Sequence, residues 1–260
     1  GCISTRLIYH TLTKLQKKTS NNQYVLNILM KLMFRDFLFM LGHRNFFFDK
    51  MKDNPVCLQI PWESNREFIN KWREGRTGFP WIDAVQTQLR KEGWVNHLGR
   101  LAAACFLTRG CLWVSWEEGF KACQETQIDF EWSLCAANWL MISCSSFFVK
   151  SNKYYCPVNT GKQHDPQGVF IRKYIPQLRN FPAEYIYDPW NAPLDVQQAA
   201  GCIIGKDYPM RIIDHEEAKL VCAKRLREMV GELQEGVSTS ISLGGDNDGE
   251  FVGKKKRKIY

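Results

Sequence analysis

The 260-residue chain has no run of about 18 apolar residues, which excludes a membrane-spanning helix. Its start, Gly1-Cys-Ile-Ser-Thr-Arg6, has neither an initiator methionine nor the architecture of a secretory leader, so it reads as a piece of something longer. None of its ten cysteines falls in a C-x-x-C pair. That spacing argues against zinc, and without a leader the thiols read as reduced and intracellular. No alternating apolar and polar stretch of convincing length occurs, so a β architecture is not expected. Beyond Gly236 large apolar side chains become scarce, and such a segment cannot offset its ordering entropy.

The formal net charge is +8, but its placement matters. In residues 231–260 the acids Glu232, Glu235, Asp246, Asp248 and Glu250 cancel the basic run Lys254–Lys258. The excess therefore lies in the body, spread over residues such as Arg6, Lys14, Lys17, Lys71, Arg73, Arg172 and Lys173. A diffuse basic body permits weak DNA contact and equally describes a solvated surface. The run Lys254–Lys258 has the composition of a nuclear-import signal, giving an expectation of nuclear and cytoplasmic residence.

What the chain has in quantity is helix punctuation. Ser64-Asn-Arg-Glu67, Ser115-Trp-Glu-Glu118 and Asp214-His-Glu-Glu217 have capping-box spacing. Pro80, followed by Ile82, Val85 and Leu89, predicts a helix that Gly93 closes. Further helices are expected over Trp94–Thr108 (ended by Gly110), Trp132–Phe148 and Glu216–Leu233. Proline turns at Pro157, Pro166, Pro182, Pro189 and Pro209 separate the later ones. The expected organisation is an all-α domain over residues 1–230, followed by a disordered basic tail over 231–260.

The chemistry concentrates between Leu112 and Trp139. Trp113-Val-Ser-Trp116-Glu-Glu-Gly119 is followed by Asp129-Phe130-Glu131-Trp-Ser133 and Cys135-Ala-Ala-Asn138-Trp139. Tryptophans in a line can pass a single electron, and acids beside an arginine can hold a polar cofactor. That combination points to redox photochemistry rather than hydrolysis. His97 and Arg100, three apart, share a helix face. Each feature also has a packing explanation: Arg100 as a helix-bridging ion pair, Cys135 as a small buried hydrophobe, and the tryptophans as helix core at three- and four-residue spacing. Trp62, Trp81, Trp94, Trp132 and Trp190 are assigned to the core or to pocket walls.

From about Gly1 to Met229 the chain resembles the carboxy-terminal, flavin-binding half of the animal cryptochromes, in the cryptochrome and photolyase family. The resemblance runs through Gly75-Arg-Thr-Gly-Phe-Pro-Trp81-Ile-Asp83, Glu92-Gly-Trp94-Val-Asn-His97, Phe106-Leu-Thr-Arg-Gly110, Leu112-Trp-Val-Ser-Trp-Glu-Glu-Gly119, Ser143-Cys-Ser-Ser-Phe-Phe148 and Tyr187-Asp-Pro-Trp190. It implies a helical FAD-binding domain, FAD as cofactor, and no amino-terminal α/β domain or flavin-phosphate segment within this sequence. The cofactor-binding positions it implies are Lys31, His97, Arg100, Asp129, Phe130, Glu131, Cys135 and Asn138, with Arg100 pairing Asp129 and Cys135 facing flavin N5. Trp139, Trp116 and Trp72 match the family's electron-transfer chain, which Trp113 could extend. No position is assigned as catalytic and none as a metal ligand.

Departures from the family pattern carry expectations of their own. Glu131 stands where a second aspartate is usual, and Lys31 where a glutamine meets the flavin. Ala137 replaces a glycine, and Val149-Lys-Ser-Asn152 replaces a Gln-Gln-Phe-Phe run. Cys135 replaces the asparagine of photolyases, and a thiol is a weak donor to N5, as in the insect-type photoreceptors. Leu101 replaces one of two pocket histidines and Phe34 a pocket tryptophan; leucine cannot donate a proton to a DNA lesion. The resemblance therefore implies a blue-light photoreceptor or circadian clock regulator acting on clock or signalling proteins, without substrate turnover. A light-independent repressor scaffold with weak or no FAD, and a DNA photolyase, stand as alternatives. Oligomeric state is not legible.

Overall fold

The computed structural model describes residues 3–18, 22–146 and 153–242, the last of these with side chains as far as Met229. Among the described residues there is no β-strand, only the isolated bridges Glu63–Val114 and Ile204–Tyr208. The all-α expectation holds. The helices are α1 (Thr5–Lys18), α2 (Gln23–Arg44), α3 (Arg66–Glu74), α4 (Pro80–Glu92), α5 (His97–Cys105), α6 (Trp116–Thr126), α7 (Trp132–Ile142), α8 (Asn159–His164), α9 (Val169–Tyr174), α10 (Leu194–Ala199) and α11 (His215–Ser242). No helix among the described residues is long and apolar enough to cross a membrane.

Local chemistry sets most boundaries. Pro80 opens α4 and Gly93, at φ 69°, closes it with its amide on the Leu89 carbonyl. The Ser115 hydroxyl accepts the Glu117 amide, and Asp214 accepts the amides of Glu216 and Glu217, so both caps lie where expected. At the first capping box the cap is one residue later: Asn65, not Ser64, accepts from the Phe68 amide at 3.0 Å. The helix expected from Trp94 begins at His97, because Asn96 caps it through the Gly99 amide at 2.9 Å.

That helix does not continue smoothly to Thr108. At Phe106–Gly110 it widens into a π-turn, with Thr108 at φ −96°, ψ −119°. The turn delivers the buried Arg109 guanidinium to the carbonyls of Ile142 at 2.6 Å and Lys153 at 2.8 Å. Two accepting carbonyls are what let a cation lie this deep. The helix α7 ends at Ile142, short of the expected Phe148, and residues 147–152 lie outside the described residues. Backbone helix α11 continues to Ser242, past the expected Leu233 and into the stretch expected to be disordered. Extending a formed helix costs far less than starting one. Lys254–Lys258 lies outside the described residues.

The helix α4 lies at the centre: Pro80 through Leu89 are all buried, Asp83 and Gln86 included. It packs against α3, α5 and α9, while α7 packs against α2, α5 and α6. Asp83 is completely enclosed and accepts from the Thr77 amide at 2.8 Å, the Thr77 hydroxyl at 2.6 Å, the Gly78 amide at 3.1 Å and the Tyr208 hydroxyl. The periphery is looser, since α1 contributes no buried residue.

Candidate cofactor site

A cavity of about 380 Å³ opens between α3, α4, α5, α6 and α7. Trp72, Val85, Leu89, Trp94, Leu134, Trp139 and Ile142 give it apolar and aromatic walls, and His97, Arg100, Asp129, Glu131, Asn138 and Gln127 line its polar side. Its volume falls in the lower part of the usual range for small-molecule sites, about 300–1,000 Å³.

Arg100 organises the polar side. Its Nε donates to the Val95 carbonyl at 2.8 Å, one Nη to Gln127 at 3.2 Å, and the other to both Asp129 oxygens at 3.1 and 2.9 Å. The pair inferred from the resemblance is therefore present, but it is not a buried one: the side chains are 27% and 44% exposed. One turn earlier on α5, burial, Arg100 and the cation of Lys31 together hold His97 below the ordinary histidine range.

Glu131 lies at the cavity, with its carboxylate engaged as the N-cap of α7, accepting the Leu134 amide at 2.8 Å. Asn138 also lines the cavity while its amide bonds back to the Leu134 carbonyl at 2.8 Å. Cys135 lines it one turn before Trp139. Phe130 does not; its ring turns inward against Phe120 at 5.6 Å. Lys31 stands on the exposed side of α2, outside the cavity walls, and its charge acts on His97. Phe34 is likewise exposed on α2, whereas Leu101 is a cavity wall.

The tryptophans divide into two groups. Trp139 and Trp72 both line the cavity and meet edge to face, with centroids 6.3 Å apart. The Trp72 indole N–H is tied to the Ala103 carbonyl at 3.0 Å. Trp116 is fully buried at the start of α6, beside the Cys57 thiol. Trp113 belongs elsewhere. Its backbone has φ 52°, and its ring pairs with Trp62 at 4.8 Å and donates to the Pro61 carbonyl at 3.1 Å, with Arg225 above it at 5.5 Å. That cluster of Ile60, Trp113 and Cys222 is separate from the main core.

Among the cavity residues that sequence reasoning did not find, three carry polar or sulfur atoms: Gln86, Cys123 and Gln127. Gln86 is 4% exposed, lines the cavity, and its amide nitrogen has no hydrogen-bond partner among the described residues. An apolar wall interrupted by one unused donor suits a ligand that brings an acceptor. Cys123 and Gln127 join the site because α6 folds back on α7, which no local spacing reveals. Elsewhere, the missing C-x-x-C spacing argued against zinc, yet the fold brings Cys156, His215 and Glu216 together with their ligand atoms within 4.8 Å of one another.

Residues 28–228 match the family model for the FAD binding domain of DNA photolyase. The chain is 47% identical to Cryptochrome-1 of Macaca fascicularis over 100% of its own length and 45% of that protein. It is 52% identical to Cryptochrome-1 of Erithacus rubecula over 90% of its length and 38% of that protein. The chain thus spans less than half the length of these curated relatives. Among solved structures, a Synechocystis cryptochrome superposes with a TM-score of 0.78 at 25% identity, covering 86% of this chain and 46% of that one. A class III photolyase from Agrobacterium tumefaciens superposes with a TM-score of 0.74 at 25% identity, covering 87% and 47%.

The residues present fit a flavin ring. Aromatic walls at Trp94, Trp139 and Trp72 suit a flat heterocycle, and the unused Gln86 donor, His97 and Arg100 offer hydrogen bonds to its carbonyl and nitrogen acceptors. With a family model over residues 28–228, a helical architecture shared with solved cryptochromes, and a cavity of matching chemistry, this chain belongs to the cryptochrome and photolyase family and carries its FAD-binding domain.

Proposed function

We propose that this domain serves a light-responsive regulator of the cryptochrome kind, in which FAD held in the α3–α7 cavity is photoreduced by Trp139. When bound, the flavin absorbs blue light and takes up one electron. Trp139 lies in the cavity wall as the first donor, and Trp72 at 6.3 Å takes its place once it is oxidised. That contact is the observation that carries the reading. Gly119 lets the Trp139 ring lie against α6, and the Ala103 carbonyl fixes Trp72, so the two rings are held for transfer rather than left mobile. Trp116 is the relay that the resemblance implies between them or beyond them, and its burial keeps it dry.

The response then passes to a clock or signalling protein whose affinity differs between the two charge states of the site. Residence in nucleus and cytoplasm, and weak DNA contact through the basic body, belong to the same proposal. The test is spectroscopic. The protein is supplied with FAD and illuminated with blue light, which oxidised flavins absorb. Bleaching in the wild type and its loss in Trp139→Phe support the proposal; failure to take up FAD overturns it.

A second reading, a light-independent scaffold, is favoured by one observation. The Glu131 carboxylate, expected to contact the cofactor, is engaged as a helix cap. Colourless protein that still binds its regulatory partner would decide for it. Photolyase activity is disfavoured because Leu101 in the cavity wall has no proton to give; light-dependent repair of ultraviolet-damaged DNA would restore it.

A further inference from the structure

We propose that Cys123 and Cys135 form a redox-active dithiol in the cavity wall, Cys123 acting as the nucleophile and Cys135 as the resolving thiol. The argument begins with helix register. Gly119 and Cys123 are one turn apart on α6, and Cys135 and Trp139 are one turn apart on α7, so each pair shares a face. The two helices are consecutive, joined by a short connection, and packed together. Gly119 receives the Trp139 ring directly. In an antiparallel pair, the contact one turn further along sets Cys123 against Cys135. Both cysteines line the same cavity.

The surroundings distinguish Cys123 from the other thiols. The Gln127 amide donates to its sulfur at 2.9 Å, and the Gln127 carbonyl accepts from Arg100 at 3.2 Å. A donor polarised by a cation favours the thiolate, the reactive form. The contact with Cys135 is the foremost cause holding Cys123 below the ordinary thiol range, and that same contact pushes Cys135 up. The two shifts run in opposite directions, which favours Cys123 over Cys135 as the sulfur that loses its proton first. By contrast, burial pushes Cys57 up to about 12 and Cys222 to about 11, and raises Cys105, Cys111, Cys144 and Cys202 as well.

With a hydroperoxide as oxidant the step balances. The Cys123 thiolate attacks one oxygen of hydrogen peroxide, the O–O bond breaks, and hydroxide leaves, giving a sulfenic acid. The Cys135 sulfur then attacks Cys123, the S–O bond breaks, and the proton of Cys135 departs with that oxygen as water. Two electrons have passed from the sulfurs to the peroxide. The resulting bridge would join α6 to α7 beside Trp139. This chemistry needs no flavin and goes beyond the proposed photochemistry.

The experiment titrates the reduced full chain with hydrogen peroxide, blocks residual thiols, and maps the peptides by mass spectrometry. The expected result is a Cys123–Cys135 linked peptide forming at least about tenfold faster than any other disulfide, with Cys123 trapped as sulfenic acid by dimedone in Cys135→Ser. Recovery of both cysteines in blocked, reduced form while other cysteines oxidise would overturn it. The wild-type map answers the question even if the variant folds poorly, and Cys202→Ser is the control that leaves the bridge intact. Since the readout is a covalent bond, its failure is distinct from failure to bind or photoreduce FAD.

Discussion

Gly119 lies directly beneath the indole of Trp139: a Cβ at this position would overlap the Cη2, Cζ2 and Cζ3 atoms of the ring. The glycine is helical and needs no special backbone angle, so the requirement is for space alone. Gly119→Ala should therefore cost about 2–3 kcal/mol through overpacking, lowering the melting temperature by about 5–10 °C. Because the ring must shift, flavin photoreduction should slow in the same variant. Thermal melts and illuminated absorbance spectra check both.

The paired rings make a second prediction. Trp139→Phe should remove most photoreduction, since phenylalanine keeps the packing but is far harder to oxidise. Trp72→Phe should leave the first transfer intact and shorten the life of the separated charge, because the hole can no longer move from Trp139 to a neighbour 6.3 Å away. Transient absorption distinguishes the two. Equal loss in both variants would mean that Trp72 is itself the first donor.

Much of this was legible beforehand, for identifiable reasons. Pro80 and Gly93 bracket α4 because one lacks an amide proton and the other tolerates φ 69°. Both properties belong to the residue itself. Arg100 and Asp129 could be paired through family resemblance, and their bidentate contact is present. The π-turn at Phe106–Gly110 had no such marker, since the partners its Arg109 reaches, the carbonyls of Ile142 and Lys153, lie far away in sequence. Cys123, Gln127 and Gln86 were likewise invisible, as each enters the cavity through the packing of distant segments. Phe130 differs from its neighbours for the converse reason: Asp129 and Glu131 line the cavity while its own ring packs on Phe120.

Asp83 gives the pH prediction. Burial outweighs its four donors and raises its carboxyl to about 6 from 3.8. A carboxyl whose pKa is raised in the folded state stabilises the fold most at pH below its unfolded value, near 4. That contribution is lost as pH climbs through the folded value, near 6. Between those limits the difference in unfolding free energy between wild type and Asp83→Asn should fall by up to about 3 kcal/mol. His97 and His215 are shifted downward and change stability in the opposite sense, so the comparison with the variant is what isolates Asp83. Denaturant melts at pH 4, 5, 6 and 7 would reveal it; a flat difference would contradict it.

The Arg100–Asp129 pair should matter more to the ligand than to the fold. Being part exposed, its coupling in a double-mutant cycle should be about 0.5–1 kcal/mol and should weaken in high salt. Losing one good hydrogen bond to bound FAD, or the geometry that supports it, should weaken affinity by about tenfold, equivalent to about 1.4 kcal/mol. Chemical denaturation and flavin titration of Arg100→Ala and Asp129→Asn separate the two effects.

The sheathing of α4 sets where movement can begin. A helix whose residues Pro80 to Leu89 are all buried, against α3, α5 and α9 and along the cavity, cannot roll or slide without opening several interfaces at once, so it acts as a fixed post. If the cavity changes charge as proposed, the resulting displacement is expected on the opposite wall, where α6 packs on α7 and Gly119 receives the Trp139 ring. On the proposed reading α4 keeps one wall in register, and any displacement is passed outward from the facing one.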